Sequence, residues 1–289
     1  MKTLGVVLLD LPGAPYVYGA MQVLAELAPA EIVVIVHGEE DDARFWVETY
    51  PQARVLVHPI YACLAETCNH AVAFLNTDVM FFWEPSMLVD QLDMEPVFAY
   101  LERPNCGVVV PTIWKMSGLE FKRLSLNEKS IRDGLFLFES EWEGAIFPSA
   151  VEGFSVAFAP YMAFFVNRLA YVAVGGMDAR IAPPYGGDRE LGCRLLDAGY
   201  KILHTETVVF RQVEGFRWDR DFALDYVVQL RLRNAYMTFW QHARGFWVWQ
   251  RHVGMVVLRL LTFRISHCRA ILKALWLSSF GKSPRIDVL

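Results

Sequence analysis

Between Tyr226 and Arg285 the chain carries no Asp and no Glu, although acidic residues outnumber basic ones overall, 32 to 27. The same span holds Arg231, Arg233, Arg244, Arg251, Arg259, Arg264, Arg269, Lys273, Lys282 and Arg285. The formal charge of −5 therefore combines an acidic body of roughly −15 with a basic tail of ten cations. The five cysteines contain no C-x-x-C pair. That absence argues against a zinc site or a disulfide framework and fits a reducing cytosol. No apolar run reaches the ~18 uncharged residues of a membrane-spanning helix. The N-terminal run is cut short by Asp10 and reads as a buried strand rather than a signal peptide. The expectation is a protein on the cytosolic side that does not cross the bilayer. G-x-S-x-G, H-E-x-x-H and phosphate-loop motifs are also missing, which leaves serine-hydrolase, zincin and P-loop chemistry without a foothold.

What is present is apolar: 54% hydrophobic and 14% aromatic residues, enough to need a large core or a lipid-facing surface. Leu4 to Leu9, Ile32 to Val36, Arg54 to Val57, Val72 to Leu75, Gly107 to Val110, Val156 to Val166 and Lys201 to Phe210 read as strands. Tyr16 to Ala28 and Asp188 to Ala198 read as helices, the latter ended by Gly199. Trp114 to Val151 reads as loops and short elements over the sheet edge. Strands alternating with helices predict an α/β fold with a mainly parallel sheet flanked by helices. Ligands of such sheets bind beyond the carboxyl ends of the strands, which directs attention to His37 and to Asn76-Thr77-Asp78.

Two segments carry chemistry. In Phe74-Leu-Asn-Thr-Asp-Val79 a strand-like run opens into a carboxylate suited to a hard divalent cation holding a diphosphate. The plainer alternative is a strand-end turn in which Asp78 caps the next element. In Val174-Gly-Gly-Met-Asp178 and Pro183-Pro-Tyr-Gly-Gly-Asp-Arg-Glu-Leu191, paired glycines bracket a loop and Asp188 opens a helix. A carboxylate there can take a proton from an acceptor hydroxyl, or serve only as an N-cap. His204 reads as structural. Trp142, Trp114 and Phe154 are either a sugar-stacking platform or core aromatics.

Gly175-Gly176-Met177-Asp178, Asp188-Arg189-Glu190-Leu191, Arg194 and Gly199-Tyr200 together resemble the acceptor-side signature of family 2 glycosyltransferases. Phe74 to Val79 resembles that family's metal-site strand, and Arg231-Leu-Arg-Asn-Ala-Tyr-Met237 its R-N motif. The overall spacing is similar to rhamnosyltransferases of surface polysaccharides. The resemblance implies a GT-A fold, a nucleoside-diphosphate sugar donor, Mg²⁺ or Mn²⁺, and inversion at the anomeric carbon. It places Asp78 on the metal; His37 and Asn76 are the further donor-side candidates, with Arg211, whose fork matches phosphate oxygens. Asp188 becomes the general base, with Gly176, Asp178, Glu190 and Trp142 on the acceptor side. His37 stands where the family has an Asp, Gly187 replaces the acid before the base, and Arg211 replaces a His. The implied site needs Asp78 and Asp188 to meet in one cleft.

The segment 216–289 is expected to be a helical appendage to a catalytic domain at 1–215. Arg251, Arg259, Arg269 and Lys273 fall on one helical stripe, with Val257, Leu261, Ile265, Leu272 and Trp276 across from it. A basic stripe, a wide apolar face and flanking tryptophans point to an anionic membrane surface rather than nucleic acid. Packing on the catalytic domain or a homo-oligomer contact is the rival. The functional expectation is a peripheral enzyme at the inner face of the membrane, acting on a glycan or lipid-linked acceptor. The competing readings are a non-catalytic membrane-bound scaffold and a polyprenyl-phosphate sugar transferase.

Overall fold

The computed structural model describes residues 2–11, 17–59, 62–117, 120–123, 163–181, 186–212, 224–242, 246–261 and 265–280. The strands are β1 (Leu4–Asp10), β2 (Glu31–His37), β3 (Arg54–His58), β4 (Val79–Trp83), β5 (Met87–Leu92), β6 (Cys106–Ser117), β7 (Glu120–Arg123), β8 (Ala163–Asn167) and β9 (Lys201–Gln212). The helices are α1 (Val17–Leu27), α2 (Glu40–Thr49), α3 (Leu64–Val72), α4 (Glu95–Leu101), α5 (Arg168–Ala173), α6 (Gly187–Asp197), α7 (Leu224–His242), α8 (Phe246–Leu261) and α9 (Ile265–Phe280).

One sheet runs in the order β3-β2-β1-β4-β8-β6-β9-β5, with β7 paired to β6. From β3 to β4 the pairing is parallel, as the continuous apolar runs of β1 and β2 require for strands buried on both faces. β8 is antiparallel to both β4 and β6, while β9 returns parallel to β6. The register of β8 on β4 sets Phe165 on Phe81 and Phe164 on Phe82, with stacked rings 4.3 and 4.9 Å apart. A one-residue slip would turn these rings to the wrong faces, so the pairs lock the register.

Apolar residues of α1, α2 and α4 cover one face of the sheet, including Leu24, Trp46 and Leu101. The other face is covered by α3, α5 and α6, with Phe239 of α7. Tyr236 and Met237 of α7 pack in turn on Ile181 and on Ile271 and Ala274 of α9. On α8, His252 stacks on Phe239 at 4.2 Å and its Nε2 accepts a hydrogen bond from the Trp240 indole at 2.8 Å. Burial pushes the His252 imidazole down to about 4, so it stays a neutral acceptor.

Three local expectations need correction. Val72 to Leu75 is not a strand: α3 runs through Val72, a turn comes next, and the strand begins at Val79. Trp114 to Ser117 is not loop but the end of the long strand β6, which pairs with the short β7, while 124–151 lies outside the described residues. The single helical stripe expected over 251–276 is divided between two helices, α8 and α9. The boundary expected at 215/216 falls outside the described residues. Among the described residues no helix is long and apolar enough to cross a membrane.

Candidate active site

Parallel strands give the sheet two unlike edges. Asp10, His37, His58 and Trp83 end β1 to β4 at the carboxyl edge, while Leu4, Glu31, Arg54 and Val79 start them at the amino edge. This sorting decides the fate of the candidate residues.

Asp78 precedes β4 and therefore lies at the amino edge. Its Oδ2 accepts hydrogen bonds from the Thr3 backbone amide at 2.8 Å and the Thr3 hydroxyl at 2.9 Å. These bonds hold its carboxyl below the usual range. Asn76 is at the same edge, with its backbone N–H donating to Glu31 at 2.6 Å. The metal and donor roles expected of Asp78 and Asn76 are thus wrong in position: both residues close the amino edge, away from the ligand side of the sheet. Asp78→Ala is expected to leave turnover and any Mn²⁺ dependence at parental levels, with a small loss of thermal stability. Transfer assays across a manganese titration would check this.

His37 is at the carboxyl edge, as expected. It is buried, with Nε2 3.2 Å from Thr67 Oγ1. That hydroxyl donates to Leu64 O at 3.0 Å, so it accepts from His37. His58 stands 6.2 Å away, ring to ring, its imidazole pushed down by burial and by His70.

Glu84, which no motif singled out, directly follows β4 at this same edge. It is 1% exposed and its Oε1 accepts from the Ser86 backbone amide at 3.3 Å. Burial pushes its carboxyl up to about 7, and the charge of Asp10 adds to the rise. Asp10 is itself raised by burial, while its Oδ2 accepts from the Trp46 indole at 2.6 Å. The legible signal was the run Val79-Met-Phe-Phe-Trp83 ending in an acid, obscured by placing the strand seven residues early.

The raised Glu84 couples stability to pH. Its folded value lies above the ordinary 4.5, so its contribution is full below that value and is lost as pH rises through about 7. Glu84→Gln should therefore gain on the parent as pH increases, by on the order of 3 kcal/mol when the acid is fully ionised. Denaturant unfolding at about pH 5 and pH 8 checks this, with the difference expected at the higher pH.

Asp188 sits in the first turn of α6. The helix is not capped by Asp188 but by Gly186, whose φ of 89° is left-handed and suits glycine. α6 packs on β9 and hands over through Ala198 to Tyr200 to Lys201, at the amino end of that strand. Its N-terminus therefore lies toward the carboxyl edge, some ~15 Å along the helix axis from Asp197. Asp78 and Asp188 belong to opposite edges, and the expected meeting of those two acids does not occur. Asp188 is 8% exposed and its Oδ1 accepts from the Arg189 amide at 2.9 Å. Burial pushes its carboxyl above the usual range, against the pull of the Arg189 charge and that amide.

The rest of the acceptor-side signature builds the support for Asp188. Gly175 and Gly176 have φ of 81° and 68° and turn the chain after α5. Asn69 of α3 then pins the loop: its Nδ2 donates to Met177 O at 2.8 Å, and its Oδ1 accepts from Met177 N at 2.9 Å and Tyr171 OH at 2.7 Å. Asp178 is buried and engaged by Arg180, whose Nε and Nη2 donate at 3.0 and 2.6 Å. Those bonds outweigh burial and hold its carboxyl below the usual range. Glu190, 1% exposed, accepts Arg194 Nε at 2.5 Å and Nη2 at 2.6 Å, and Arg194 Nη1 reaches Val174 O. His242 of α7 closes the group, with Nδ1 2.8 Å from Asp197 and Nε2 3.5 Å from Glu190. Burial alone would lower its imidazole, but these carboxylates raise it above its ordinary value.

Arg211, near the end of β9, is bound by Asp90 of β5, with its Nε donating at 3.1 Å. His204 is buried with Thr112 Oγ1 at 3.0 Å from its Nε2, in keeping with a structural role. Trp114 is exposed on β6 opposite Arg211, whereas Trp142 and Phe154 lie outside the described residues. Among the described residues no three His, Cys, Asp or Glu side chains cluster as a metal site.

Solved structures share this architecture. Over 83% of the chain it superposes on GalNAc-T7 with UDP, GalNAc and Mn²⁺, at a TM-score of 0.60 and 14% identity. The overlap covers 48% of that protein, so the chain spans about half its length. TarS 1–349 of S. aureus, with UDP-GlcNAc, gives 0.56 and 10% identity over 84% of this chain and 68% of that one. A mannosyltransferase of Pyrobaculum calidifontis, with GDP-Man and Mn²⁺, gives 0.50 and 13% over 98% and 88%. No family model matches the sequence, and no curated protein matches it. The fold is that of the GT-A glycosyltransferases, a mixed α/β sheet flanked by helices.

Proposed function

We propose that the protein is an inverting glycosyltransferase, moving a hexosyl or deoxyhexosyl group from a nucleoside-diphosphate sugar to a hydroxyl of a glycan or lipid-linked acceptor. The reading includes a role in cell-surface polysaccharide synthesis at the cytoplasmic face of the membrane. The observation that carries it is Asp188: a buried carboxylate of raised basicity in the first turn of α6, toward the ligand edge of a GT-A sheet.

In this mechanism Asp188 accepts the proton of the acceptor hydroxyl as the oxygen attacks the anomeric carbon. The bond from that carbon to the diphosphate breaks with its electron pair leaving on the phosphate oxygen. A single in-line displacement inverts the centre. Gly186 lets the chain enter α6 at the angle that buries Asp188, and the Glu190–Arg194 pair holds the helix behind it.

Mg²⁺ or Mn²⁺ would neutralise charge on the departing diphosphate. Asp78 does not suit that ion. Glu84 does in position, as one carboxylate at the correct edge, and such ions commonly take one or two carboxylates with phosphate oxygens completing the shell. Because burial raises its carboxyl to about 7, Glu84 would hold such an ion more tightly as pH rises through that value.

The test is release of nucleoside diphosphate by purified protein on a panel of sugar nucleotides, with and without Mn²⁺. Turnover of one donor, lost in Asp188→Asn, is the expected result. Inert donors together with an unaltered cellular phenotype for Asp188→Asn would leave the non-catalytic scaffold in its place. Transfer to a lipid phosphate would assign the polyprenyl-phosphate reaction instead.

A further inference from the structure

Large apolar side chains are exposed on both of the tail's last helices. On α8, Phe246 is 74% exposed, with Val253, Val257 and Leu261 following it at helical spacing along one stripe, while Trp249 beside them meets Phe239 of α7 edge-on at 5.5 Å. The opposite side of α8 carries His252, buried against α7. On α9, Ala270, Ile271 and Ala274 face inward, whereas Leu272 and Trp276 point out at 66% and 62% exposure. Arg269, also exposed, shares that outward side of α9 rather than lying across from Leu272 and Trp276 as expected, and Lys273 lies on its flank, with Nζ 5.9 Å from the Tyr226 ring of α7. Each helix thus has one face packed on the body and one apolar face in water, an arrangement that costs free energy unless something covers it.

We infer that α8 and α9 dock the protein on an anionic bilayer surface. Charge identifies the occupant. The stretch from Tyr226 to Arg285 has ten cations and no acid, so two copies meeting through this face would bring like charges together. An anionic leaflet instead pairs with Arg269 and Lys273 while Leu272 and Trp276 enter the headgroup boundary. Neither helix is long and apolar enough to cross, so the contact lies in the interface. This inference does not rest on the transferase reading.

Flotation of the full-length protein with vesicles tests it. Vesicles of phosphatidylcholine with one part in three phosphatidylglycerol should carry the protein, and pure phosphatidylcholine should carry much less. Leu272→Ser with Trp276→Ser should weaken binding about tenfold or more, and Arg269→Gln with Lys273→Gln about tenfold, with lost salt sensitivity. All four positions are exposed, so unchanged circular dichroism and melting will show that the variants fold. Failure to float on anionic vesicles overturns the inference. So does light scattering that shows a dimer dissolved by Leu272→Ser with Trp276→Ser while vesicle binding is unaffected.

Discussion

Asp188→Asn should lower kcat by about 10²–10⁴-fold while the KM for the sugar nucleotide stays near the parental value. Asn keeps the volume and can still accept the Arg189 amide hydrogen bond, so the N-terminal turn of α6 survives. Only the ability to take a proton is removed, and the loss falls on the chemical step. The pH profile offers a second readout. Burial raises the carboxyl, so the acidic limb of the parental kcat profile, where the rate climbs as Asp188 loses its proton, lies above the ordinary Asp range. In the Asn variant the residual rate should lose that limb. Steady-state kinetics across pH checks both outcomes, and a loss confined to KM would contradict the assignment.

The second large effect concerns stability. Arg194→Met should cost about 3–5 kcal/mol, because Glu190 would remain buried without its bidentate partner. His242 alone, at 3.5 Å, replaces little of that pairing. Val174 O also loses its donor, which loosens the turn at Gly175. Replacing both partners, as Glu190→Gln with Arg194→Met, should recover much of the loss, since a neutral group is far cheaper to bury. Denaturant unfolding of the single and double variants measures this directly.

These two outcomes divide one motif into different jobs. The spacing Gly175, Asp178, Asp188, Glu190 and Arg194 was legible in the sequence, and so was the helix that carries the last three. Their division of labour was not, because a carboxylate in a motif looks the same whether it faces an arginine or a cleft. Pairing of Asp178 with Arg180 and Glu190 with Arg194 became visible only with the fold, as did the clamp by Asn69.

The strands β1, β2, β3 and β9 were legible because apolar runs without helical period have few alternatives in water. The error at Asp78 has an equally physical origin. Val72 to Leu75 is apolar because it ends a helix buried against the sheet, and a short apolar run does not distinguish that from a strand. Moving the strand start to Val79 exchanged the edges of the sheet, and a carboxylate expected beside the ligand turned out to hold Thr3. Sheet polarity, unlike strand identity, depends on where a run begins.

The contact between α7 and the entrance to α6 has a mechanical consequence. Gly186 faces the Cβ of Asn234, and His242 reaches back to Asp197 and Glu190, so both ends of α6 lean on the same long helix. The basic C-terminal region is therefore a brace for the helix that carries Asp188. Whatever shifts that brace changes the reach of one oxygen atom, the one proposed to take the proton.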